Sequence, residues 1–348
     1  MEETKKVTLK ERLIKYLPII FTISLIILIG LSFVGPFFEL RLKDNGEKID
    51  TIYRLGELMF TNPTSPNVQL FFIVVYLVLP FAGCAFVFLG KLHQNFYVVA
   101  VLTFLLLAIS AILSKEIVAT SLCETTGLDY SIHSVFICYV LPIIIFFIAA
   151  FFSLVIAATK ISITVQDITE TGILIGLALA LNFVKFVQLG ETGGSINFQI
   201  LPLFILALRK GPLKGFIGAG IAYGLISCLT DGYGIATFPF DYLIGMGSTC
   251  ILGFFSPFIF GENQTTYNFK GELFLFVGAL VATFFRFVGG CASSMIIYGY
   301  TLVPAMAYNA LYISISGLIA IVLIMAIYGP FIKINKRFPS SQTKSTTL

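Results

Sequence analysis

The sequence predicts an all-α polytopic membrane protein with about ten transmembrane helices. Hydrophobic residues make up 57% of the 348 positions, charged residues only 11%, and the mean hydropathy is +0.96. Soluble domains carry roughly 25% charged residues, so this chain could not cover itself with a charged surface in water. Apolar runs of the ~20-residue length that crosses a bilayer recur from end to end. Lysine and arginine gather in alternate connections between those runs, the asymmetry that orients membrane proteins.

Lys5, Lys6, Lys10, Arg12 and Lys15 precede a long apolar run from Leu17. The pattern resembles a signal sequence, but Phe33–Phe38 offers no small-residue cleavage site, so the run is expected to stay as a first span. Further spans are expected at 68–90, 95–114 and 134–158, with outer loops at 38–66 and 115–133 that carry no motif. The polar interruption TKISITVQDITE, 159–170, marks the boundary of a four-span module, 1–160. A second module, 161–337, holds candidate spans 172–190, 199–209, 214–230, 241–260, 272–292 and 305–332. The 199–209 and 214–230 runs are short, and 190–198 is a candidate for irregular backbone dipping into the protein. The polar tail 338–348 is expected to be disordered.

With the N-terminus inside, 15 lysines and arginines fall on the cytoplasmic side and 5 outside, with Lys185 and Arg286 within spans. The expectation is a multi-pass protein of the cell membrane with both termini cytoplasmic.

Several functions are excluded or weakened by what is missing. Basic residues form no patch or stripe, so nucleic acid is not an expected partner. No GxxxxGK[ST] occurs, so ATP hydrolysis would require partner subunits. Neither HExxH nor GxSxG is present. His93 and His133 are the only histidines, and no metal or cofactor is expected. Five of the six cysteines, Cys84, Cys138, Cys228, Cys250 and Cys291, lie in apolar runs and read as small buried hydrophobes; Cys123 is the exception, and a Cys123–Cys291 bridge is left open.

Gly172, Gly176 and Ala180 recur every fourth residue, with Ala178 close by. Such spacing lets helices approach closely, within the bundle or against a partner. Ser195, Asn197 and Gln199 alternate with Ile196, Phe198 and Ile200 after glycines 190, 193 and 194. In an extended backbone their polar groups face one way, toward a pocket or toward solvent. Asp241, Lys185 and Arg286 are ionisable groups in or beside apolar runs, where charge is costly and faces a cavity or a partner. Asp241 with Arg286 could be a structural pair, and Lys185 is expected to snorkel outward. Tyr233, Phe238, Phe240, Tyr242, Tyr298, Tyr300, Tyr308 and Tyr312 cluster around these points, as an interfacial belt or as walls for a flat or cationic ligand.

Residues 168–332 resemble the thiamine-specific S component of energy-coupling-factor transporters. The resemblance runs in order through ETGILIGLALALNFV at 170–184, GGSINFQILPLFILALRKGPLKGFIGAGIAYGL at 193–225, FPFDYLIGMGSTCILGFFSPF at 238–258 and RFVGGCASSMIIYG at 286–299. It implies a six-helix bundle that captures a vitamin at the outer face, and a transport subunit rather than an enzyme. It further implies docking on a transmembrane T subunit through Gly172, Gly176, Ala178 and Ala180, with two cytosolic ATPases supplying energy. On this resemblance Asp241 meets the cationic end of thiamine, with Tyr242 beside it. Tyr298 stacks, Tyr308 lies near the start of the last helix, and Ser195 and Asn197 lie in the closing loop. Gln199 and Arg286 join the candidate binding set from their own positions. The family's histidine falls on Gly290 and its last-helix asparagine on Ile313, and the chain has no tryptophan. Residues 1–160 resemble nothing comparable. A stand-alone secondary transporter, or a membrane enzyme or assembly factor built around Cys123, Glu124, Asp129 and His133, are the alternatives.

Overall fold

A computed structural model describes residues 16–338 except 17–18, 21, 28–29, 32, 34, 43–47, 61–65, 91, 127–129, 135–138, 160, 190–193 and 261–266. Of the expected tail 338–348, only Phe338 is among the described residues. The chain divides into two compact units, Met1–Lys160 and Ile161–Leu348.

In the first unit, strands β1 (Pro36–Leu42) and β2 (Lys48–Arg54) lead into a short helix α1 (Leu55–Phe60). Helices α2 (Val68–Leu89) and α3 (Asn95–Thr126) follow, then β3 (Tyr130–Ser134) and α4 (Leu141–Thr159). The three strands form one antiparallel sheet in the order β2-β1-β3, with Glu39 opposite His133. The two outer connections expected as plain loops are therefore tied together by backbone hydrogen bonds, and α3 runs beyond the expected 114. Where β1 meets the helices, Phe37 and Phe38 are fully buried beside Phe72, Tyr76 and Tyr139. Phe37 stands edge-on to Tyr76 at 5.4 Å, a favourable arrangement of ring quadrupoles. The expected span 17–37 is described only in part, and its residues 22–27 are helical. The side chains of Cys123, Glu124, Asp129 and His133 lie outside the described residues.

The second unit begins with α5 (Val165–Phe183). Thr164 accepts from the Asp167 amide at 3.2 Å while Asp167 accepts from the Thr164 amide at 3.0 Å, a reciprocal cap that fixes the start. The buried Asp167 also accepts from Lys210 at 3.1 Å and Lys214 at 2.7 Å. Strands β4 (Val187–Gln188) and β5 (Ser195–Ile196) pair after α5. The helical run Ile200–Asp231 then bends at Gly211, whose φ of 79° and ψ of 178° are not helical. Pro212 follows and cannot supply the amide that a continuous helix needs. The arms, α6 (200–210) and α7 (212–231), fold back on each other. A Cβ at Gly215 would lie 3.1 Å from Ala207 Cα, and one at Gly218 would meet Leu206. The two short expected spans are thus the arms of a helical hairpin.

Helices α8 (Ile235–Phe260), α9 (Phe269–Ile296) and α10 (Leu302–Ala326) complete the bundle. The run expected to continue to 332 breaks at Ile327, after which α11 (Tyr328–Arg337) follows. Seven described helices are long and apolar enough to cross a membrane. The expected ten differ from these by the partly described first span, by α5 with its acidic first turns, and by counting the hairpin as two. Exposed Leu229, Phe284 and Val322 suit helices solvated by lipid.

The core joins Ile175 and Ala178 of α5 to Leu203, Ala219, Tyr223, Tyr242 and Met246. Ala178 therefore points inward and is removed from the expected docking surface. Gly172, Gly176 and Ala180 are exposed, as that surface requires. Cys84, Cys228, Cys250 and Cys291 are free buried thiols.

Candidate ligand-binding site

Three stretches of widened π-helical winding bring the site residues inward. They span Ile217–Tyr223, Phe238–Met246 and Ala310–Ser314, and carry Tyr223, Asp241 with Tyr242, and Tyr312 with Ile313. An i→i+5 turn rotates later side chains off the face that a regular helix would give them, a device common at functional sites. The second and third of these stretches, with Leu189, Gly194 and Ser195 and residues of α5 and α9, line an open-mouthed cavity of about 360 Å³, while Tyr223 is buried behind its wall. That volume suits a small organic ligand.

Of the expected binding residues, Asp241, Tyr242, Ser195, Gln199, Tyr298, Tyr308 and Arg286 line the cavity. Asn197 does not. It is buried behind the wall, donating to Asn182 and Ser195, each at 3.1 Å. The alternating pattern breaks there because β5 ends at Ile196 and Gln199 already begins the next helix. Gln199 accepts from Tyr223, and the Gly194 amide donates to Tyr308, so the segment 194–199 is held by hydrogen bonds to the bundle. Lys185 is exposed at the rim, as expected of a snorkelling side chain, yet it also lines the cavity.

The structure adds residues the sequence reading passed over. Asp231 accepts from Asn182 at 3.0 Å, Ser227 at 2.9 Å and Tyr242 at 3.0 Å. Its carboxylate is an organising centre that accepts from three neutral donors. Ser293 donates to Asp241 Oδ2 at 2.7 Å. Asn309 is fully buried, donating to Ser294 at 2.7 Å and accepting from Tyr312 at 3.0 Å. A Cβ at Gly290 would lie 2.6 Å from Asn309 Oδ1 and 2.7 Å from Ile313 Cδ1. The space where the resemblance expects a histidine side chain is thus filled from the last helix by Asn309 and Ile313. A Ser/Asn/Asp alphabet spread over five helices carries no local spacing, so only the fold brings it together.

Asp241 and Arg286, considered above as a structural pair, are not joined by an ion pair. Among the described residues the ion pairs of this unit link Arg209, Lys210 and Lys214 to Asp167 and Glu170. Arg286 is 4% exposed, and its Nη1 has no hydrogen-bond partner. At the mouth, Tyr298 has its phenol pushed up to about 12 by burial first and then by the Asp241 charge, so it remains a donor at neutral pH. The rings of Tyr300 and Tyr308 meet edge-on at 6.0 Å, and Tyr308 lies 5.4 Å from Tyr312. The cavity therefore offers aromatic walls, the carboxylates of Asp231 and Asp241, and polar side chains including Gln199 and Tyr298.

Residues 168–336 match the family model described as thiamine transporter protein. This bears out the resemblance read over 168–332. A solved structure titled as native-SAD phasing for ThiT from Listeria monocytogenes is 19% identical, covering 48% of this chain and 97% of that chain with a TM-score of 0.37. No curated protein matches the chain.

Proposed function

We propose that this protein captures a water-soluble vitamin, thiamine or a thiamine-like pyrimidine, as the S component of an energy-coupling-factor importer. The observation that carries this reading is the cavity itself. It is walled by tyrosines, provided with uncommitted polar groups, and it lies within the segment that matches a thiamine transporter family. The charge distribution of the connections supports cytoplasmic termini, which puts the cavity toward the outer face. The chain carries no P-loop, so the driving ATPases are separate subunits. Gly172, Gly176 and Ala180 form the face of α5 that would meet a T subunit, since a Cβ at either glycine would meet nothing within 4 Å in this chain.

The test is purification of the tagged full chain from its own cells, together with uptake of labelled vitamin. Co-purification with a T subunit and two ATPases, and uptake that stops without them, are the expected results. Uptake by the chain alone in vesicles, driven by a proton or sodium gradient, would overturn the reading in favour of a secondary transporter.

A further inference from the structure

A hydroxyl has one hydrogen to donate and lone pairs to accept with, so the group behind it decides what it offers a ligand. Three residues that line the cavity have that hydrogen committed to the protein. Tyr242 donates to Asp231 at 3.0 Å, Ser293 to Asp241 at 2.7 Å, and Tyr312 to Asn309 Oδ1 at 3.0 Å. Carboxylates only accept, which settles the direction of the first two bonds. An amide has one end that accepts and one that donates, and the other bonds of Asn309 decide which end meets Tyr312. Its nitrogen donates to the Ala305 carbonyl at 2.8 Å, a group that only accepts, and to Ser294 at 2.7 Å. The oxygen therefore faces Tyr312. Asn309 is fully buried, so turning the Tyr312 hydrogen toward a ligand would strand that oxygen without a partner.

We propose that Asn309 is a positioning residue for ligand selectivity: it holds the Tyr312 hydrogen, makes Tyr312 an acceptor, and so favours a ring that presents an amine over the same ring presenting a carbonyl. This rests on reading the cavity as a site for thiamine or a thiamine-like pyrimidine. Of the three committed hydroxyls, that of Tyr312 belongs to the least buried residue; Tyr242 is 4% exposed and Ser293 1%. The Tyr312 ring also lies against the turn at Gly194, where a Cβ would come within 2.6 Å of it, so its place in the wall is fixed. Asp231 and Asp241 add further acceptors to the same cavity. Donors are present as well in Gln199 and Tyr308, whose oxygens accept from Tyr223 and from the Gly194 amide. An aminopyrimidine carries an amine that donates beside a ring nitrogen that accepts, and the cavity holds a counterpart for each. Exchanging the amine for an oxo group turns the donor into an acceptor and the neighbouring ring nitrogen into a donor. The oxo group would then meet Tyr312 lone pair to lone pair.

Calorimetry on the detergent-solubilised full chain tests this with thiamine and its 4-oxo analogue oxythiamine, which share the thiazolium cation and differ only at that edge of the pyrimidine. The unaltered chain should bind thiamine about tenfold or more tighter. Asn309→Leu removes the acceptor behind Tyr312 and frees its hydrogen to donate, so the ratio should fall to within about threefold of unity. Tyr312→Phe removes the hydroxyl itself and should lower the ratio to a similar extent. The double variant should show no further fall, because both changes act through one group. A general loosening of the fold would weaken both ligands and leave their ratio, so the ratio separates positioning from a structural role. Equal or tighter binding of oxythiamine by the unaltered chain overturns the assignment and leaves vitamin capture standing. So does a ratio that survives in Tyr312→Phe or in folded Asn309→Leu; if Asn309→Leu does not fold, Tyr312→Phe decides. Binding of neither probe by the unaltered chain overturns the assignment together with the thiamine reading.

Discussion

Asp241 and Gly290 line the same cavity and are constrained in different ways. Asp241 lines the cavity and accepts from Ser293 through Oδ2. Asp241→Asn exchanges a charge-assisted acceptor for a neutral one, at a cost of about 1–2 kcal/mol, or about tenfold in affinity. Calorimetry should show that loss with an unchanged yield of folded protein; equal affinity would remove Asp241 from the site. Gly290 is constrained by crowding, since a Cβ would enter space held by Asn309 and Ile313. Gly290→Ala should therefore lower stability by about 1–3 kcal/mol, the usual range for overpacking. Adding Asn309→Ala should recover part of the unfolding temperature, because the first collision is with the Asn309 side chain. The sequence made Asp241 and the tyrosines legible because charge and ring density stand out in apolar runs. Asn182, Asp231, Ser293 and Asn309 did not stand out, because single small polar residues in helices are common and acquire meaning only through contacts 15 or more positions away.

The start of α5 is held to the helical hairpin by a charge cluster rather than by apolar contact alone. Glu170 pairs with Arg209 at 2.9 Å and with Lys210 at 2.7 Å, and Arg209 reaches the Phe338 carbonyl at 3.2 Å. The cluster thus ties three parts of the chain: the first helix of the unit, the hairpin bend and the end of α11. Burial pushes the Glu170 carboxyl upward, but hydrogen bonds from Arg209, Lys210 and Gln166 outweigh it and bring its pKa from the ordinary 4.5 to about 2. A carboxylate with a lowered folded-state value contributes stability above its unfolded value and loses it as pH falls through the folded one. The unfolding temperature of the unaltered protein should therefore decline between about pH 4.5 and pH 2. Glu170→Gln should lower stability at neutral pH and remove its share of that decline. Parallel melting curves for the two proteins over this range check it, and identical pH slopes would show that the pair contributes nothing.

Across the whole chain, hydropathy located helices well because lipid imposes a length and a composition on each span. It split Ile200–Asp231 into two short runs, 199–209 and 214–230, and the structure turns between them at Gly211, just before Pro212. It missed the sheet joining β1, β2 and β3, because short strands between spans carry mixed charges and no clear alternation. The chain separates into Met1–Lys160 and Ile161–Leu348, and every residue lining the cavity lies in the second unit. The family match, 168–336, falls within that unit too. If binding is a property of that unit, a chain of residues 161–348 should retain the ligand affinity of the full protein to within about threefold, or less than about 1 kcal/mol. Calorimetry on both forms in the same detergent measures this directly. A folded, monodisperse 161–348 protein that has lost the ligand would assign residues 1–160 a part in capture. Full affinity, combined with lost uptake in cells, would instead place the role of the first unit after binding, in assembly or in the transport step.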